Sequence, residues 1–268
     1  MQAEMAQITN SMAGQRVVIV GGAGEGIGHA VARAVAGAGA QAIAILSRDP
    51  DRVALAASEV RKMGCEALGF AADVRDRNAG DRTIAAVVEA FGGVDTLITV
   101  VGGYVRYARW TALDHTADED WDRILDLNLG YVFRFVRAAL RAFVAQESGG
   151  TIVSIGSLAG LDGCPKAAAY GVAKAGLINL AKTVSTEYGR RGVRMNVVNS
   201  GLVDTQSGQA GIASGIDASA VPLGRIGTPD EIARAVVFLG SPASSYISGQ
   251  ALNVDGAVSA RSPFGMRK

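Results

Sequence analysis

Tyr170 and Lys174 are the pair of residues with the clearest chemical use. They stand four apart in an alanine-rich stretch, Ala167–Arg190, that reads as a helix, so both leave it on one face. A free tyrosine has a pKa of about 10, too high for proton exchange near neutrality. A neighbouring ammonium favours the phenolate and lowers that value. Lowering it by roughly three units corresponds to roughly 4 kcal/mol. Ser157 comes 13 residues before Tyr170, where the apolar run Thr151–Gly156 ends. Ligands bind at the carboxyl ends of parallel strands, and a hydroxyl there can donate to a carbonyl oxygen as charge develops on it. Asn128 stands among Leu125, Leu127 and Leu129 in a second helical stretch. A mid-helix asparagine has a propensity cost, so it serves either this chemistry or a polar contact between helices.

A second constellation precedes these residues. The apolar Val17–Val20 runs into Gly21-Gly22-Ala23-Gly24-Glu25-Gly26-Ile27-Gly28, and a helical stretch follows at once. Strand, glycine turn and helix in that order suit a dinucleotide. The glycines admit the pyrophosphate to the backbone, and the helix N-terminus offers free N–H groups. Arg48, preceded by Ser47, lies 20 residues beyond Gly28, and Ala42–Ser47 contains no acid. An acidic residue there would hold the ribose 2′-hydroxyl of NAD, whereas an arginine suits the 2′-phosphate of NADP. Glu25 and Asp49 weigh the other way, so NADP(H) is favoured and NAD(H) stays open.

These residues need a frame to hold them. Apolar runs at Arg16–Val20, Ala42–Leu46, Ala67–Ala71, Val94–Val101, Thr151–Gly156, Val193–Val198 and Ala251–Val254 read as seven strands. Helices are expected up to Ala38 and over Asp51–Met63, Ala79–Phe91, Asp118–Gln146 and Ala167–Arg190. Such alternation predicts an α/β fold with a seven-stranded parallel sheet, right-handed crossovers and helices on both faces. No linker divides the chain, so residues 15–257 form one domain, with tails at 1–14 and 258–268. Thr205–Pro222, rich in small polar residues, reads as a mobile loop or lid over the substrate.

Composition narrows the function. The 268 residues are 49% hydrophobic and 19% charged, which excludes a disordered chain. Lys+Arg 26 against Asp+Glu 25 gives a net charge of +1, so no sign excess points to nucleic acid or a membrane surface. The 35 glycines are about twice the usual share and have no collagen period. Cys65 and Cys164 form no disulfide framework or CxxC motif, and with His29 and His115 they give no metal-ligand spacing. A reducing, cytoplasmic location is expected. Met1–Asn10 lacks a basic region followed by an apolar run, and the longest uncharged stretch, Ala235–Val254, is interrupted by Gly, Ser, Pro and Gln.

Over about Gln15–Ala257 the chain resembles a classical short-chain dehydrogenase/reductase. The family's TGxxxGIG turn appears at Gly21–Gly28, its adenine-contacting acid at Asp73 before Val74, and its NNAG as Thr99-Val100-Val101-Gly102. Asn128, Ser157 and the YxxxK pair Tyr170 and Lys174 match the family's catalytic positions. PGxxxT becomes Ser200-Gly201-Leu202-Val203-Asp204-Thr205. The resemblance implies a single-domain, doubly wound Rossmann-type fold. It also implies hydride transfer between a nicotinamide and a carbonyl or alcohol carbon. Tyr170 is then the acid or base, Ser157 orients the substrate oxygen, and Lys174 tunes the tyrosine and holds the nicotinamide ribose. Asn128 holds a water that relays protons. Gly22, Gly24, Glu25, Gly26, Ile27, Gly28, Ser47, Arg48, Asp73, Val74, Val101, Gly102, Tyr170, Lys174, Gly201, Val203 and Thr205 are the implied cofactor contacts.

Three departures stand out. Gly21 replaces a threonine that braces the turn, Val100-Val101 replaces Asn-Ala, and Ser200 replaces proline. Substrate contacts are expected from Ser157, Tyr104, Leu158 and Leu161. Tyr107 and Trp110 add to an apolar wall, or pack under the loop or at an interface. Arg106 and Arg109 meet an anionic group or are solvated. A homotetramer acting on a small carbonyl or alcohol is implied. The leading reading is an NADP(H)-dependent reductase of a 3-oxoacyl or other ketone. The alternative is an NAD-dependent dehydrogenase of a hydroxysteroid, cyclic alcohol or polyol. The remote alternative is a non-catalytic nucleotide-binding protein.

Overall fold

The computed structural model describes residues 11–104 and 107–260. Seven strands form one parallel sheet: β1 (Arg16–Val20), β2 (Ala42–Ser47), β3 (Glu66–Ala71), β4 (Thr96–Thr99), β5 (Gly150–Ser157), β6 (Val193–Ser200) and β7 (Ala251–Val254). Their order is β3-β2-β1-β4-β5-β6-β7. The chain therefore runs outward from β1 to β3, then returns to place β4 beside β1. At that reversal the crossovers leave to opposite faces, and a crevice opens beyond the carboxyl ends of β1 and β4.

Helices α1 (Ile27–Gly37), α2 (Pro50–Lys62) and α8 (Pro229–Gly240) cover one face. Val31, Val53 and Val236 pack there with Ile19, Ile43 and Val153 of the sheet. The other face carries α3 (Ala79–Phe91), α4 (Asp118–Leu125), α5 (Tyr131–Ala145) and α6 (Ala168–Tyr188). Ile84, Phe135 and Leu177 pack there against Val18, Leu97 and Ile152. Both faces of the central strands are buried, which explains why β1, β2 and β4 read as unbroken apolar runs.

Four features differ from the sequence expectation. The stretch Asp118–Gln146 is two helices joined by a π turn at Asp126–Gly130, which carries Asn128. There Asn128 Nδ2 donates to the Ile124 carbonyl at 2.9 Å, taking an acceptor the helix would otherwise use. Secondly, β4 stops at Thr99, because the N–H groups of Val100 and Val101 both turn to the Val20 carbonyl. Thirdly, the 205–222 segment contains a short helix, α7 (Gln206–Ala213), with Thr205 as its N-cap. Fourthly, α8 was not anticipated, and its second half forms the first part of the long uncharged stretch. Thr228 and Glu231 make a capping box at its start, with Pro229 in the first turn.

Met12, assigned by sequence to the tail, is fully buried among the α1 and α8 side chains, because its backbone N–H reaches the Ala38 carbonyl. Among the described residues both cysteines are free, no His/Cys/Asp/Glu cluster could hold a metal, and no helix is long and apolar enough to cross a membrane. The expectation for Met1–Asn10 lies outside the described residues.

Candidate active site

Ser157 ends β5, and Tyr170 and Lys174 lie in the first two turns of α6. One close approach fixes their relation. A Cβ on Gly160 would lie 2.6 Å from the Lys174 backbone carbon, so only glycine lets the turn after β5 rest directly on α6. Ser157 Oγ accepts from Ala159 N at 3.2 Å, which turns the chain there. Lys174 is buried and donates to the Ile155 carbonyl at 2.9 Å. Its ammonium stands 5.5 Å from the centre of the Tyr170 ring. Burial lowers the Lys174 pKa to about 8. Burial also pushes the Tyr170 phenol above its ordinary value, with a hydrogen bond from Ser157 acting in the other direction. The expected lowering of the phenol by Lys174 is therefore reversed in the free protein. Desolvation dominates, and Tyr170 holds its proton through neutral pH.

Asn128 is fully buried and commits its amide to the backbone. Its Oδ1 accepts from Gly103 N at 2.9 Å, and Nδ2 donates to the carbonyls of Gly103 and Ile124. It thus clamps the loop after β4 against the π turn. A Cβ on Gly102 would lie 2.7 Å from Asn128 Oδ1 and 3.2 Å from Lys174 Nζ. Gly102→Ala should lower kcat/KM by about 10–10²-fold by displacing both groups. Steady-state kinetics check this, and an unchanged kcat/KM would remove the clamp from the account.

Two joined hollows lie at the carboxyl end of the sheet. One, of about 420 Å³, is lined by Gly24, Ser47, Arg48, Asp73, Val74, Val101 and Gly102 of the sequence-predicted set, together with Gly21. The other, of about 430 Å³, takes in Glu25, Gly26, Ile27, Gly28, Ser157, Tyr170, Lys174, Gly201, Val203 and Thr205. Their walls share Val100, Gly102 and Gln206, so they form one cleft. Gly22 lies beneath it, where a Cβ would press on Ile19 and Ile45.

This cleft fits a dinucleotide. Gly26, the N-cap of α1, has no side-chain cap, so the helix presents bare N–H groups to the cleft. A Cβ on Gly28 would meet the Gly21 carbonyl at 1.9 Å, so the turn closes only with glycine. The missing threonine at Gly21 has a physical reason. Its φ is +101°, and a Cβ there would lie 2.8 Å from Val101 Cγ2. Gly21 and Val101 thus pack directly on each other.

The far end of the cleft adds Arg52, Arg75 and Arg123, which sequence reasoning missed. Arg75 Nη2 pairs with Asp73 at 2.7 Å and holds its carboxyl below the ordinary range, with Arg48 adding to the effect. The signal for Arg75 was local, a cation two residues beyond the expected acid. Arg48 is exposed and makes no ion pair among the described residues. Tyr107 lines this end, not the substrate side.

On the substrate side the wall holds Tyr104, Trp110, Ala159, Cys164 and Ile216. Cys164 was not foreseen, and Ile216 comes from the 205–222 segment expected over the substrate. Leu158 and Leu161 lie outside it, because residues 158–160 form a tight 3-10 turn that leaves Leu161 39% exposed. Arg109 is exposed, and Arg106 lies outside the described residues. A further hollow of about 460 Å³ sits at the opposite end of the strands, where Arg16 and Asp95 pair at 2.8 Å. It contains none of the catalytic set.

Comparison with known proteins agrees with this geometry. The family model described as Enoyl-(Acyl carrier protein) reductase matches residues 22–259. The 3-oxoacyl-(acyl-carrier-protein) reductase of Synechocystis sp. is 35% identical over 91% of this chain and 96% of its own. The 2-(S)-hydroxypropyl-CoM dehydrogenase 3 of Xanthobacter autotrophicus is 36% identical over 94% of this chain and 100% of its own. A short-chain type dehydrogenase/reductase from Mycobacterium marinum superposes with a TM-score of 0.87 at 30% identity, covering 96% of this chain and 99% of that one. The chain is an oxidoreductase acting at a CH–OH/C=O centre. With its matched length, its identity to these relatives and its superposition on a solved member, it belongs to the classical short-chain dehydrogenase/reductase family.

Proposed function

We propose that this protein reduces a ketone to a secondary alcohol with NADPH, and that a 3-oxoacyl thioester, the class named by several relatives, is the first substrate to try. The observation that carries the reading is the half-buried Tyr170 beside Ser157 and Lys174, on a cleft that a dinucleotide fits, and the relatives named as 3-oxoacyl reductases support the reductive direction.

When bound, the nicotinamide cofactor supplies the hydride. Gly24, Gly26 and the α1 N-terminus would hold its pyrophosphate. Val101, Gly102, Gly201, Val203 and Thr205 would hold the nicotinamide end, and Asp73 and Val74 the adenine. Tyr170 gives its phenolic proton to the carbonyl oxygen. Ser157 donates its hydroxyl to that same oxygen when substrate enters. Lys174 keeps a positive charge beside the tyrosine as it loses its proton, which stabilises the phenolate. The apolar wall excludes bulk water, so the proton moves between fixed groups. The implied tetramer agrees with the exposed Phe133 on α5 and Val172 on α6, 49% and 51% accessible in the single chain.

Cofactor choice is tested at Arg48. Four arginines face two aspartates along the distal lining, and Arg48 is the arginine there at the end of β2. Fluorescence titration should show NADPH binding about tenfold or more tighter than NADH, about 1.4 kcal/mol. Arg48→Asp should reverse the order. An unchanged preference would overturn the NADPH assignment and direct the substrate screen to alcohol oxidation with NAD.

A further inference from the structure

We propose that Trp110 selects the substrate. Its indole N–H donates to an oxygen acceptor remote from the reacting carbonyl, and the substrate is an uncharged ketone whose body lies along the Tyr104 ring. This inference rests on the ketone-reductase reading and narrows it.

The Tyr104 ring stands between the catalytic tyrosine and Trp110. Its centre is 6.3 Å from that of Tyr170 and 5.3 Å from that of Trp110, which meets it edge-on at 62°. The Tyr104 hydroxyl is tied back to the carbonyls of Arg109 and Lys166, so Tyr104 offers only its ring to the cavity. Trp110 is the opposite case. It lines the same cavity, its Nε1–H has no acceptor among the described residues, and solvent does not reach that atom, so binding includes a turn of the indole that brings the N–H to the cavity. A buried donor without an acceptor carries a desolvation penalty, which an incoming acceptor relieves. A ligand that brings the acceptor therefore gains over one of the same shape that does not.

Charge excludes the other substrate class. Among the described residues the cavity wall has two charged side chains, Glu25 and Lys174. Lys174 is committed to the Ile155 carbonyl, and residues 205–222 contain no lysine or arginine. Among the described residues a carboxylate or phosphate buried here would meet one cation, Lys174, already bound to a carbonyl, and would face Glu25.

The test uses unbranched methyl ketones of equal length in which an ether oxygen replaces each methylene in turn. With the wild-type protein and NADPH, one oxygen position should raise kcat/KM about tenfold over the all-carbon ketone. Trp110→Phe keeps a ring but removes the donor, and should erase that advantage, so that ether and all-carbon ketones of equal length react alike in the variant. An equal-length ketone ending in a carboxylate should be the poorest substrate. If no oxygen position is favoured, or if the advantage survives in Trp110→Phe, the proposal is overturned.

A second readout does not depend on turnover. The chain has two tryptophans, so the ¹⁵N-indole resonance of Trp110 is identified by its loss in Trp110→Phe. It should move on adding the favoured ether ketone and stay in place with the all-carbon one. If the protein reduces none of these ketones, the reductase reading fails. The resonance still decides on Trp110, since an indole unmoved by every ether ketone refutes its role.

Discussion

Tyr170→Phe should lower kcat for ketone reduction by about 10²–10⁴-fold, the range that a positioned proton donor contributes. KM and NADPH affinity should change little. The substitution deletes one hydroxyl and keeps the ring, so the stacking on Tyr104 at 6.3 Å remains. Ser157 keeps its bond from Ala159 N, so the end of β5 is not released. No other described titratable group replaces the phenol. Lys174 points to the Ile155 carbonyl, and burial raises the Cys164 thiol above its ordinary value. Rate constants measured beside a cofactor titration separate the two effects. A large loss of kcat with unchanged NADPH binding assigns the proton to Tyr170. Unchanged kcat would place the acid elsewhere and overturn the mechanism. Failure of the parent protein to reduce any ketone while binding NADPH would favour a nucleotide-binding role on the same fold.

The central strands were legible because they are buried on both faces. The runs at 16–20 and 251–254 coincide with β1 and β7, and the other strands shift only at their ends. Helix α8 was overlooked because its apolar half merges into a long uncharged stretch, although Thr228-Pro229-Asp230-Glu231 spells out its start. The π turn could not be read from periodicity. It arises from a tertiary bargain in which Asn128 takes the Ile124 carbonyl and grips Gly103, 25 residues away. Ser157, Tyr170 and Lys174 could be picked out as candidates because the proposed chemistry needs particular residue types at set positions, and the structure puts them at the end of β5 and the start of α6. The substrate wall was less legible. Leu158 and Leu161 follow Ser157 closely in sequence, but the tight turn carries them off the cavity, whereas Cys164 and Ile216 reach it from separate segments. Proximity in sequence to a catalytic serine does not predict proximity to the substrate.

Lys174→Met should abolish most reduction and yet raise thermal stability at neutral pH. The two effects share one cause, since a charge held in a buried site serves the reaction at the expense of the fold. The Lys174 pKa falls from an ordinary 10.5 to about 8. Below pH 8 the lysine is charged in both folded and unfolded chains, and the full burial cost is present. Between 8 and 10.5 the folded chain has shed a proton that the unfolded chain retains, so stability rises with pH. Above 10.5 the cost is gone. That interval corresponds to about 3 kcal/mol. Methionine removes it but leaves the Ile155 carbonyl without its donor, which costs about 1–3 kcal/mol. The net gain is about 1 kcal/mol near pH 7, or about 2–4 °C in Tm for a chain of this size. The advantage of the variant should shrink as pH passes 8 and reverse once Lys174 is neutral, because the wild type then keeps its hydrogen bond without the charge. The same titration shapes catalysis. Ketone reduction by the wild type should hold steady below pH 8 and decline above it, as the ammonium that stabilises the Tyr170 phenolate is lost. Calorimetry across this pH range decides the matter. A variant less stable than the wild type at pH 7 would show that Lys174 is satisfied by its surroundings, and would remove the proposed conflict between fold and function.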